Sequence, residues 1–301
     1  MIDGIIYRLI SVSIRGMAHI PYSIGQYKGR GLGLLACLIP MDRKKVALEN
    51  IEQSFPGISG CEARRLLRRV YMHFGSMVFE IPHIINLTSK NLDRYVIFEG
   101  IENLDRALGK DKGVFVLTAH FGNWELMSAA ITLLWRKTAV VARPADFLPL
   151  ERAITRLRSW HGAKIIPKQR AMRQLMQTVK EKQIIGILLD QNVDWYEGVF
   201  VPFLGRWACT NKGLALIALR TGTPVVPAFP TRQKDGRYRI TLEKEIALRD
   251  TGDKNADMEA NTEAFTRIIE KYVREYPDHW FWYHKRWKTK NYCEWDVGMK
   301  G

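Results

Sequence analysis

The apolar positions of this 301-residue chain change their spacing near residue 95. Before that point they recur every three or four residues, which is the spacing of amphipathic helices. After it come short runs rich in Val and Ile, separated by amphipathic segments of helical length. Strands that alternate with helices in this way form βαβ units. The sequence therefore predicts an α/β fold with a mostly parallel central sheet flanked by helices.

Seven apolar runs are predicted as the strands of this sheet. They are YVIFEG from residue 95, GVFVLTAH from 113, TAVVAR from 138, AKIIP from 163, IIGILLD from 184, TPVVPAF from 223 and YRITLEKEI from 238. The interior runs are almost entirely apolar, as expected of strands that are covered on both faces. Residues 190–210 form the one long irregular stretch of the pattern, and loops of that length within a compact domain tend to be functional.

Two helical stretches precede the sheet. MDRKKVALENIEQSFPG starts at residue 41 and is stopped by Pro56 and Gly57, and a second stretch runs from Cys61 to about Pro82. We expect three parts in the chain: an N-terminal segment (1–40), a helical lead-in (41–90) and, including that lead-in, one α/β domain (41–301).

The first 40 residues are apolar but are interrupted by charged residues. No uncharged stretch reaches the ~18 residues that a membrane-spanning helix requires, and the basic residues are not gathered at the start as in a secretory signal. Ile5 and Leu9 recur at helical spacing with Arg8 and Arg15 a heptad apart. This pattern is typical of an α-helix lying in a membrane interface. A helix packed on the protein's own core has the same spacing, so both interpretations stay open.

The charge of the chain favours negatively charged partners. Lys and Arg outnumber Asp and Glu by 46 to 31, a formal net charge of +15, which suits nucleic acid, anionic lipid or an acidic protein. Neither a metal site nor a disulfide framework is indicated, because the four cysteines lie far apart without a CxxC pair. They are Cys37, Cys61, Cys209 and Cys293. We expect no metal and no cofactor.

Candidate chemistry lies where the second predicted strand ends, because ligands of open α/β sheets bind at the carboxyl ends of strands. The strand delivers His120, and Gly122 permits a tight turn. Asn123 is a candidate N-cap, and Glu125 falls in the first turn of the next helix. Across such a turn, the Glu125 carboxylate can accept from one ring nitrogen of His120 and leave the other as a base.

This stretch also permits interpretations other than general base chemistry. His120 can be a satisfied core histidine and Glu125 a first-turn acid favoured by the helix dipole. A zinc-peptidase site needs HExxH, which the spacing does not supply. A serine hydrolase needs a nucleophile such as that of GxSxG, and neither Ser nor Cys lies beside His120.

The motif HFGNWE resembles the HxxxxD/E signature of glycerolipid acyltransferases, in the form carried by the bacterial lipid A late acyltransferases, the lauroyl and myristoyl transferases. The resemblance covers nearly the whole chain, because further motifs occur in the family's order. They are VALENIEQSFPG, ARP, LRSWHGAKIIP, LLDQN, GVFVPFLGRWACTNKG, ALRTGTPVVPAF and WFWYHKRWK. The resemblance implies a glycerolipid acyltransferase-like fold with a membrane-associating N-terminal segment.

The resemblance also implies a reaction. His120 would take the proton of an acceptor hydroxyl that attacks an acyl thioester, with Glu125 orienting the imidazole and without a covalent enzyme intermediate. The donor would be an acyl carrier protein thioester and the acceptor a lipid A precursor, at the cytoplasmic face of the inner membrane, with the enzyme bound peripherally or anchored by its N-terminal segment. Backbone N–H groups at Gly122 and Asn123 are candidate oxyanion donors by position.

Two arginines are expected to bind substrate. Arg143 ends the strand TAVVA and Arg158 lies in the next helix, and the family carries arginines at both positions. Arginine suits phosphate and carboxylate groups. A surface ion pair is the alternative for each.

Two more candidate substrate-binding residues flank the irregular stretch. Asp190 ends the strand IIGILL, where it can also cap a loop. Arg206 precedes Thr210, a candidate N-cap of a helix starting near Asn211, and an anion can bind at a helix start. Alternatively, Asp190 and Arg206 pair with each other and hold the loop.

The stretch DHWFWYHKRWK interleaves aromatic and basic residues. This composition occurs at membrane interfaces, in single-strand nucleic-acid grooves and in buried terminal strands, and His284 within it is interpreted as structural. A non-enzymatic basic protein that binds membranes or nucleic acid would explain the charge but not the His120 arrangement, and the chain has no RNA-binding motif. Nucleic acid is therefore not expected as a partner. An acyltransferase acting on another glycolipid, an ornithine-type lipid or a lysophospholipid is the alternative among enzymes.

Overall fold

The computed structural model describes residues 2–135, 137–169 and 171–290. Helices form its first part, as predicted: α1 (Ile2–Ala18), α2 (Tyr22–Leu38), α3 (Asp42–Ser54) and α4 (Gly60–Glu80), with 3₁₀ turns at Ile81–Asn86 and Leu92–Arg94. A capping box starts α4, because Ser59 and Glu62 each accept from the other's backbone N–H.

Strands and helices alternate in the remainder of the described chain. The strands are β1 (Val96–Glu99), β2 (Val114–Thr118), β3 (Thr138–Ala142), β4 (Lys164–Pro167), β5 (Ile184–Leu188), β6 (Gly198–Phe203), β7 (Arg206–Asn211), β8 (Val225–Arg232) and β9 (Tyr238–Leu242). The helices are α5 (Ile101–Leu108), α6 (Trp124–Trp135), α7 (Leu148–Arg158), α8 (Ala171–Lys180), α9 (Gly213–Thr221) and α10 (Lys254–Glu275), with a 3₁₀ turn at Pro277–His279.

The seven predicted strands all occur and form one sheet, in the order β1-β9-β8-β2-β5-β3-β4. Within the described residues, every pairing in this sheet is parallel except that of β8 with β9. The mostly parallel α/β fold is therefore confirmed. β5 lies directly beside β2, although more than sixty residues separate them along the chain.

Helices cover both faces of the sheet. Successive side chains of a strand point to opposite faces, so Val114 and Val116 of β2 pack in one core cluster with Leu126 of α6. Phe115 and Leu117 belong to the opposite cluster, which contains residues of α8 and α9. We refer to these two sides of the sheet as the α6 face and the α9 face.

Residues 190–210 are not the irregular stretch that the sequence predicts. β6 and β7 pair as an antiparallel hairpin across Leu204 and Gly205, whose φ values of 51° and 78° are both positive and suit a two-residue hairpin turn. β6 contains Pro202, and a proline is tolerated in a strand with a free edge.

The N-terminal helices combine a buried glycine face with an exposed apolar face. A Cβ added at Gly29 or Gly33 of α2 would overlap the backbone of α4, so the two helices pack backbone against backbone. Large apolar side chains elsewhere on α1 and α2 are exposed, including those of Ile5, Leu9, Val12, Tyr27, Leu35 and Leu38.

Among the described residues, no helix combines the length and the apolar character needed to span a bilayer.

The aromatic and basic tail is largely part of the core. Trp280, Trp282 and Arg286 are fully buried, which confirms the core interpretation for these residues, although Trp280 forms an isolated bridge to Phe121 rather than a terminal strand. Residues 291–301, with Cys293, lie outside the described residues.

Candidate active site

His120 and Asp190 meet at the carboxyl edge of the sheet. Because β2 and β5 are neighbours, the residues that follow them leave the sheet side by side. The Nδ1 atom of His120 lies 2.8 Å from Oδ1 of Asp190, and the backbone N–H of His120 donates to Oδ2 at 3.0 Å. Two contacts to one carboxylate thus fix both the ring and the backbone of His120.

The Asp190 carboxylate is fully buried and well supplied with donors. Trp280 donates to Oδ2 from its indole nitrogen at 2.8 Å. Burial alone raises the pKa of Asp190, but the charge of His120 and its hydrogen bond, together with His284 and Trp280, lower it more, so the pKa of this carboxyl lies well below its usual range. Asp190 is therefore ionised and can only accept hydrogen bonds, which leaves the proton of a neutral His120 on Nδ1 and the lone pair on Nε2.

Glu125 does not take the position expected from the sequence. Arg158 on α7 donates to its two carboxylate oxygens from Nε, at 3.0 and 2.9 Å, and the indole of Trp124 donates to it at 2.9 Å. Among the described residues no hydrogen bond joins Glu125 to His120. The first turn of α6 directs Glu125 towards α7, whereas β5 delivers Asp190 to the imidazole.

Glu125 and Trp124 remain close to the catalytic candidate. The Trp124 ring lies 5.2 Å from the His120 ring, edge to face, and its indole N–H is held by Glu125. Burial lowers the pKa of Arg158, but the hydrogen bonds and charge of Glu125 and the charge of Glu151 raise it more. Glu125 and Arg158 thus form a charged pair with little solvent exposure, at 11% and 19% of their side chains.

Asn123 is the N-cap of α6, as predicted. Its side-chain oxygen accepts from the backbone N–H of Leu126 at 3.0 Å, and its amide donates to Glu80 at 3.1 Å. Both groups are buried, so the Asn123 side chain faces the protein interior. The N–H of Gly122 donates to the carbonyl of His279 at 2.9 Å, and therefore does not point at a reacting group as the sequence suggested.

A buried cluster behind the turn supports this cap. Glu80 is fully buried and accepts from Asn123, Gln26, Arg232 and Tyr238. Burial lowers the pKa of Arg232, but Tyr238 and Glu80 raise it more, so the guanidinium stays charged. The lead-in helices, the sheet and the turn after His120 are thereby tied to one carboxylate.

Arg206 lies away from this edge. It donates to Ser54 at 3.2 Å and to Gln53, and its guanidinium stacks 3.4 Å from the ring centre of Trp287. Burial lowers its pKa to about 10. The alternative in which Arg206 pairs with Asp190 is wrong, because Asp190 is bound to His120 instead.

The helix start predicted near Asn211 is shifted. Thr210 is a buried residue of β7 and does not cap a helix. Asn211 accepts from the backbone N–H of Gly213 at 2.8 Å, where α9 begins. The hairpin uses residues that the sequence assigned to a loop and a helix, which explains the difference.

Arg143 is an exposed residue at the same edge as His120. Its guanidinium donates to Asp146 at 2.9 Å, and side-chain exposures of 69% and 91% make this a surface ion pair of small energetic value. The guanidinium is therefore free to exchange Asp146 for another anion.

A cavity of about 980 Å³ opens beside His120. Four of the predicted site residues line it, namely His120, Glu125, Arg143 and Arg158, whereas Asn123, Asp190 and Arg206 do not. Most of its lining is aliphatic and comes from β2, β3, β5, α6, α8 and α9. An apolar cavity of this size suits a hydrocarbon chain.

Two cavity residues were not predicted to belong to the site. Gln191 follows Asp190 in the motif LLDQN, and its amide nitrogen lies 3.4 Å from Nε2 of His120. Thr118 belongs to the predicted strand GVFVLTAH, and in the described structure its hydroxyl is buried without a hydrogen-bond partner at the cavity wall. The sequence signal that could have identified them is that both residues lie near the end of an apolar strand.

The described residues contain no group of three or more His, Cys, Asp or Glu side chains that could hold a metal ion. The groups that do meet at the cavity are a base held by a carboxylate, an amide donor and an ion pair. This set can deprotonate a hydroxyl and stabilise a tetrahedral oxyanion beside a bound apolar chain.

Comparison with known proteins connects this geometry to a reaction. The chain is 24% identical over 279 residues to the lipid A biosynthesis lauroyltransferase of Escherichia coli K12, covering 91% of this chain and 88% of that protein. It is 24% identical over 273 residues to the lipid A biosynthesis palmitoleoyltransferase of the same organism, covering 90% and 87%. A lipid A biosynthesis acyltransferase of Haemophilus influenzae is 25% identical over 283 residues, covering 92% and 88%.

The family described as bacterial lipid A biosynthesis acyltransferase matches residues 4–289, which is nearly the whole chain. The acyltransferase activity of this family agrees with a basic histidine at the mouth of an apolar cavity. The chain is a member of the bacterial lipid A biosynthesis acyltransferase family.

Proposed function

We propose that this acyltransferase moves a fatty acyl chain from an acyl thioester to a hydroxyl of a lipid A precursor. The observation that carries the proposal is the His120–Asp190 pair at the mouth of the apolar cavity. The names of two relatives, a lauroyltransferase and a palmitoleoyltransferase, support a fatty acyl donor, and family membership supports the lipid A-type acceptor.

His120 acts as the general base. Its Nε2 takes the proton of the acceptor hydroxyl while that oxygen bonds to the thioester carbonyl carbon. The tetrahedral intermediate then collapses, the C–S bond breaks, and the leaving sulfur takes the proton from the imidazolium. Asp190 stabilises the imidazolium, so no covalent enzyme intermediate is required.

Gln191 supports the negative charge that develops on the carbonyl oxygen. A side-chain amide is a suitable donor for such an oxyanion, and the 3.4 Å separation of its nitrogen from Nε2 of His120 brings it to the atom at which the reaction occurs. This role replaces the backbone N–H of Gly122, which is already bonded.

Glu125 and Arg158 line the cavity beside His120 and hold its polar groups in position. Glu125 holds the Trp124 indole against the imidazole and keeps Arg158 charged at the wall. Arg158 in turn offers hydrogen bonds to the polar part of the acceptor. Arg143 at the mouth attracts the acceptor's phosphates, for which it exchanges Asp146.

The remaining assignments follow from charge and exposed apolar surface. The net charge of +15 suits an acidic acyl carrier protein as donor and an anionic membrane as the site of work. The exposed apolar side chains of α1 and α2, in the segment 1–40, would rest on the cytoplasmic face of the inner membrane. Asn123 and Arg206 then act through the structure around the site rather than by direct contact.

Mass spectrometry of reaction products tests the proposed function. Purified protein is incubated in detergent micelles with an acyl carrier protein thioester or the matching coenzyme A thioester. A lipid A precursor, an ornithine-type lipid and a lysophospholipid are offered as separate acceptors. We expect one added acyl chain on the lipid A precursor with the carrier protein donor. A product only on another acceptor would contradict the assignment, and no product on any acceptor would contradict the reaction.

A further inference from the structure

The cavity extends along both faces of the sheet. On the α6 face it is lined by Val116, Met127, Ile131 and Ile184, and this part is called the α6 arm. On the α9 face it is lined by Leu175, Leu214 and Ile217, and this part is called the α9 arm. The two arms meet at the carboxyl edge of the sheet, where His120 lies.

The imidazole belongs to the α6 side of this junction. Its ring packs against Trp124, the first residue of α6, with 5.2 Å between ring centres. Thr118, whose buried hydroxyl has no partner in the described structure, precedes His120 by two residues and shares the face of Val116. An acyl chain in the α6 arm therefore has its carbonyl end beside the base.

Gly186 lies at the middle of the α6 arm. It pairs with Val116 of β2 and Val140 of β3, and it lines the cavity. At about 3.3 Å per strand residue, it lies about 7 Å from Leu188 at the mouth and the same distance from Ile184 at the far end. A chain that fills the arm has to pass over it.

The backbone does not require a glycine at position 186. Its φ is not among the positive values of the described glycines, and an added Cβ would contact only the carbonyl of Ala139 at 3.8 Å and a methyl group of Val140 at 4.0 Å. Both distances are ordinary van der Waals contacts. A glycine inside a strand weakens that strand and often marks the close approach of a ligand.

We propose that the α6 arm receives the acyl chain that is transferred, and that Gly186 sets the accepted chain length by leaving the middle of the arm open. This inference rests on the proposed acyl transfer. A larger residue at position 186 shortens the arm without moving the backbone, so that long chains lose their binding space while short chains keep theirs.

The test compares Gly186→Val with wild type on decanoyl, lauroyl, myristoyl and palmitoyl thioesters of acyl carrier protein. Valine is favourable in a strand, and Gly186→Ala provides a milder variant. Each methylene without a binding space costs about fourfold in kcat/KM. We expect the ratio of kcat/KM between the shortest and longest accepted donors to rise by at least about tenfold in Gly186→Val, and by less in Gly186→Ala.

Val141→Phe is the matched control, because Val141 of β3 lines the cavity but belongs to the cluster on the α9 face. It adds bulk at a similar depth and is expected to keep the wild-type order of donors. An unchanged order in both Gly186 variants, or a shift towards short chains caused by Val141→Phe, would overturn the inference.

Thermal shifts of each protein with the same thioesters separate this inference from the proposed function. If the wild type binds the thioesters but transfers nothing, the proposed reaction fails. The chain-length inference is then tested by binding alone. It predicts that Gly186→Val weakens the stabilisation by long thioesters more than that by short ones, and it fails if both are weakened equally.

Discussion

Replacing Asp190 by Asn tests which carboxylate orients His120, the proposed catalytic base. The substitution keeps the size of the side chain but removes its charge. Asp190 accepts from the imidazole and the backbone of His120 and from the Trp280 indole, at 2.8, 3.0 and 2.8 Å. An asparagine can accept through one oxygen only. Its amide NH2 group is a donor, so it would face one of these three donors without forming a hydrogen bond.

The expected loss follows from the hydrogen bond that strengthens during the reaction. A hydrogen bond to a charged group contributes about 1.5–3 kcal/mol, and about 1.4 kcal/mol corresponds to a tenfold change in rate. Because the bond to Nδ1 strengthens as His120 becomes an imidazolium, kcat falls by at least about tenfold and up to about 150-fold, while KM for the donor changes little.

The assay compares steady-state transfer from an acyl carrier protein thioester by wild type, Asp190→Asn and Glu125→Gln across pH 6–9. Circular dichroism and Tm show whether each variant is folded. In this account Asp190→Asn lowers kcat across this pH range, since a neutral neighbour stabilises the developing imidazolium less. Glu125→Gln alters the packing of Trp124 and Arg158 and lowers kcat less than Asp190→Asn does. An unchanged kcat in Asp190→Asn, with a larger loss in Glu125→Gln, would refute the reasoning and restore the pairing expected from the sequence.

Two further predictions concern stability. Glu80→Ala leaves the buried Arg232 without its carboxylate, so we expect a loss of about 3–5 kcal/mol in the free energy of unfolding, measured by urea titration; a loss below about 1 kcal/mol would contradict the role given to this cluster. Burial holds the pKa of His73 well below its ordinary value, so the unfolded chain binds a proton that the folded chain does not. Stability should therefore decrease as pH falls below about 6.5, by up to about 1.4 kcal/mol per pH unit for this group, and His73→Gln should have a smaller slope between pH 7 and 5; an equal slope would show that His73 is not responsible.

The local features of the fold were predictable from the sequence because short-range rules govern them. The seven apolar runs became strands of the central sheet, since buried parallel strands carry few polar residues. Asn123 caps α6 because a short polar side chain before a helix accepts from its first N–H groups. His120 lies at the carboxyl edge of the sheet because the apolar run that forms β2 ends just before it.

The partner of His120 was not predictable because it depends on the order of the strands. Asp190 reaches the imidazole only because β5 pairs with β2, and no local pattern specifies that neighbour. Glu125 is five residues from His120 along the chain, but the direction of its side chain depends on Arg158 in α7. Sequence proximity therefore suggested the wrong contact for the imidazole, while the correct carboxylate was recognised only as a residue at the same sheet edge.

The β6–β7 hairpin and the cavity show a second limit of prediction from the sequence. Residues 190–210 form an irregular stretch of the sequence pattern, and the pairing of β6 with β7 becomes visible only in the folded protein. Gly186 lies within the predicted strand IIGILLD, where the sequence pattern gives it no special role. Its significance depends on the empty space beside it, which is created by residues from several separate segments.

A single-turnover measurement with His120→Gln tests the central claim most directly. Enzyme in excess over a labelled acyl carrier protein thioester is mixed with the lipid A precursor, and the labelled lipid product is followed with time for wild type and variant. Since a positioned general base contributes about 10²–10⁴-fold, the account predicts a rate constant at least about a hundredfold lower for His120→Gln, with the Tm and the binding of both substrates preserved. Equal rate constants for the two proteins would contradict the claim that His120 removes the proton from the acceptor hydroxyl.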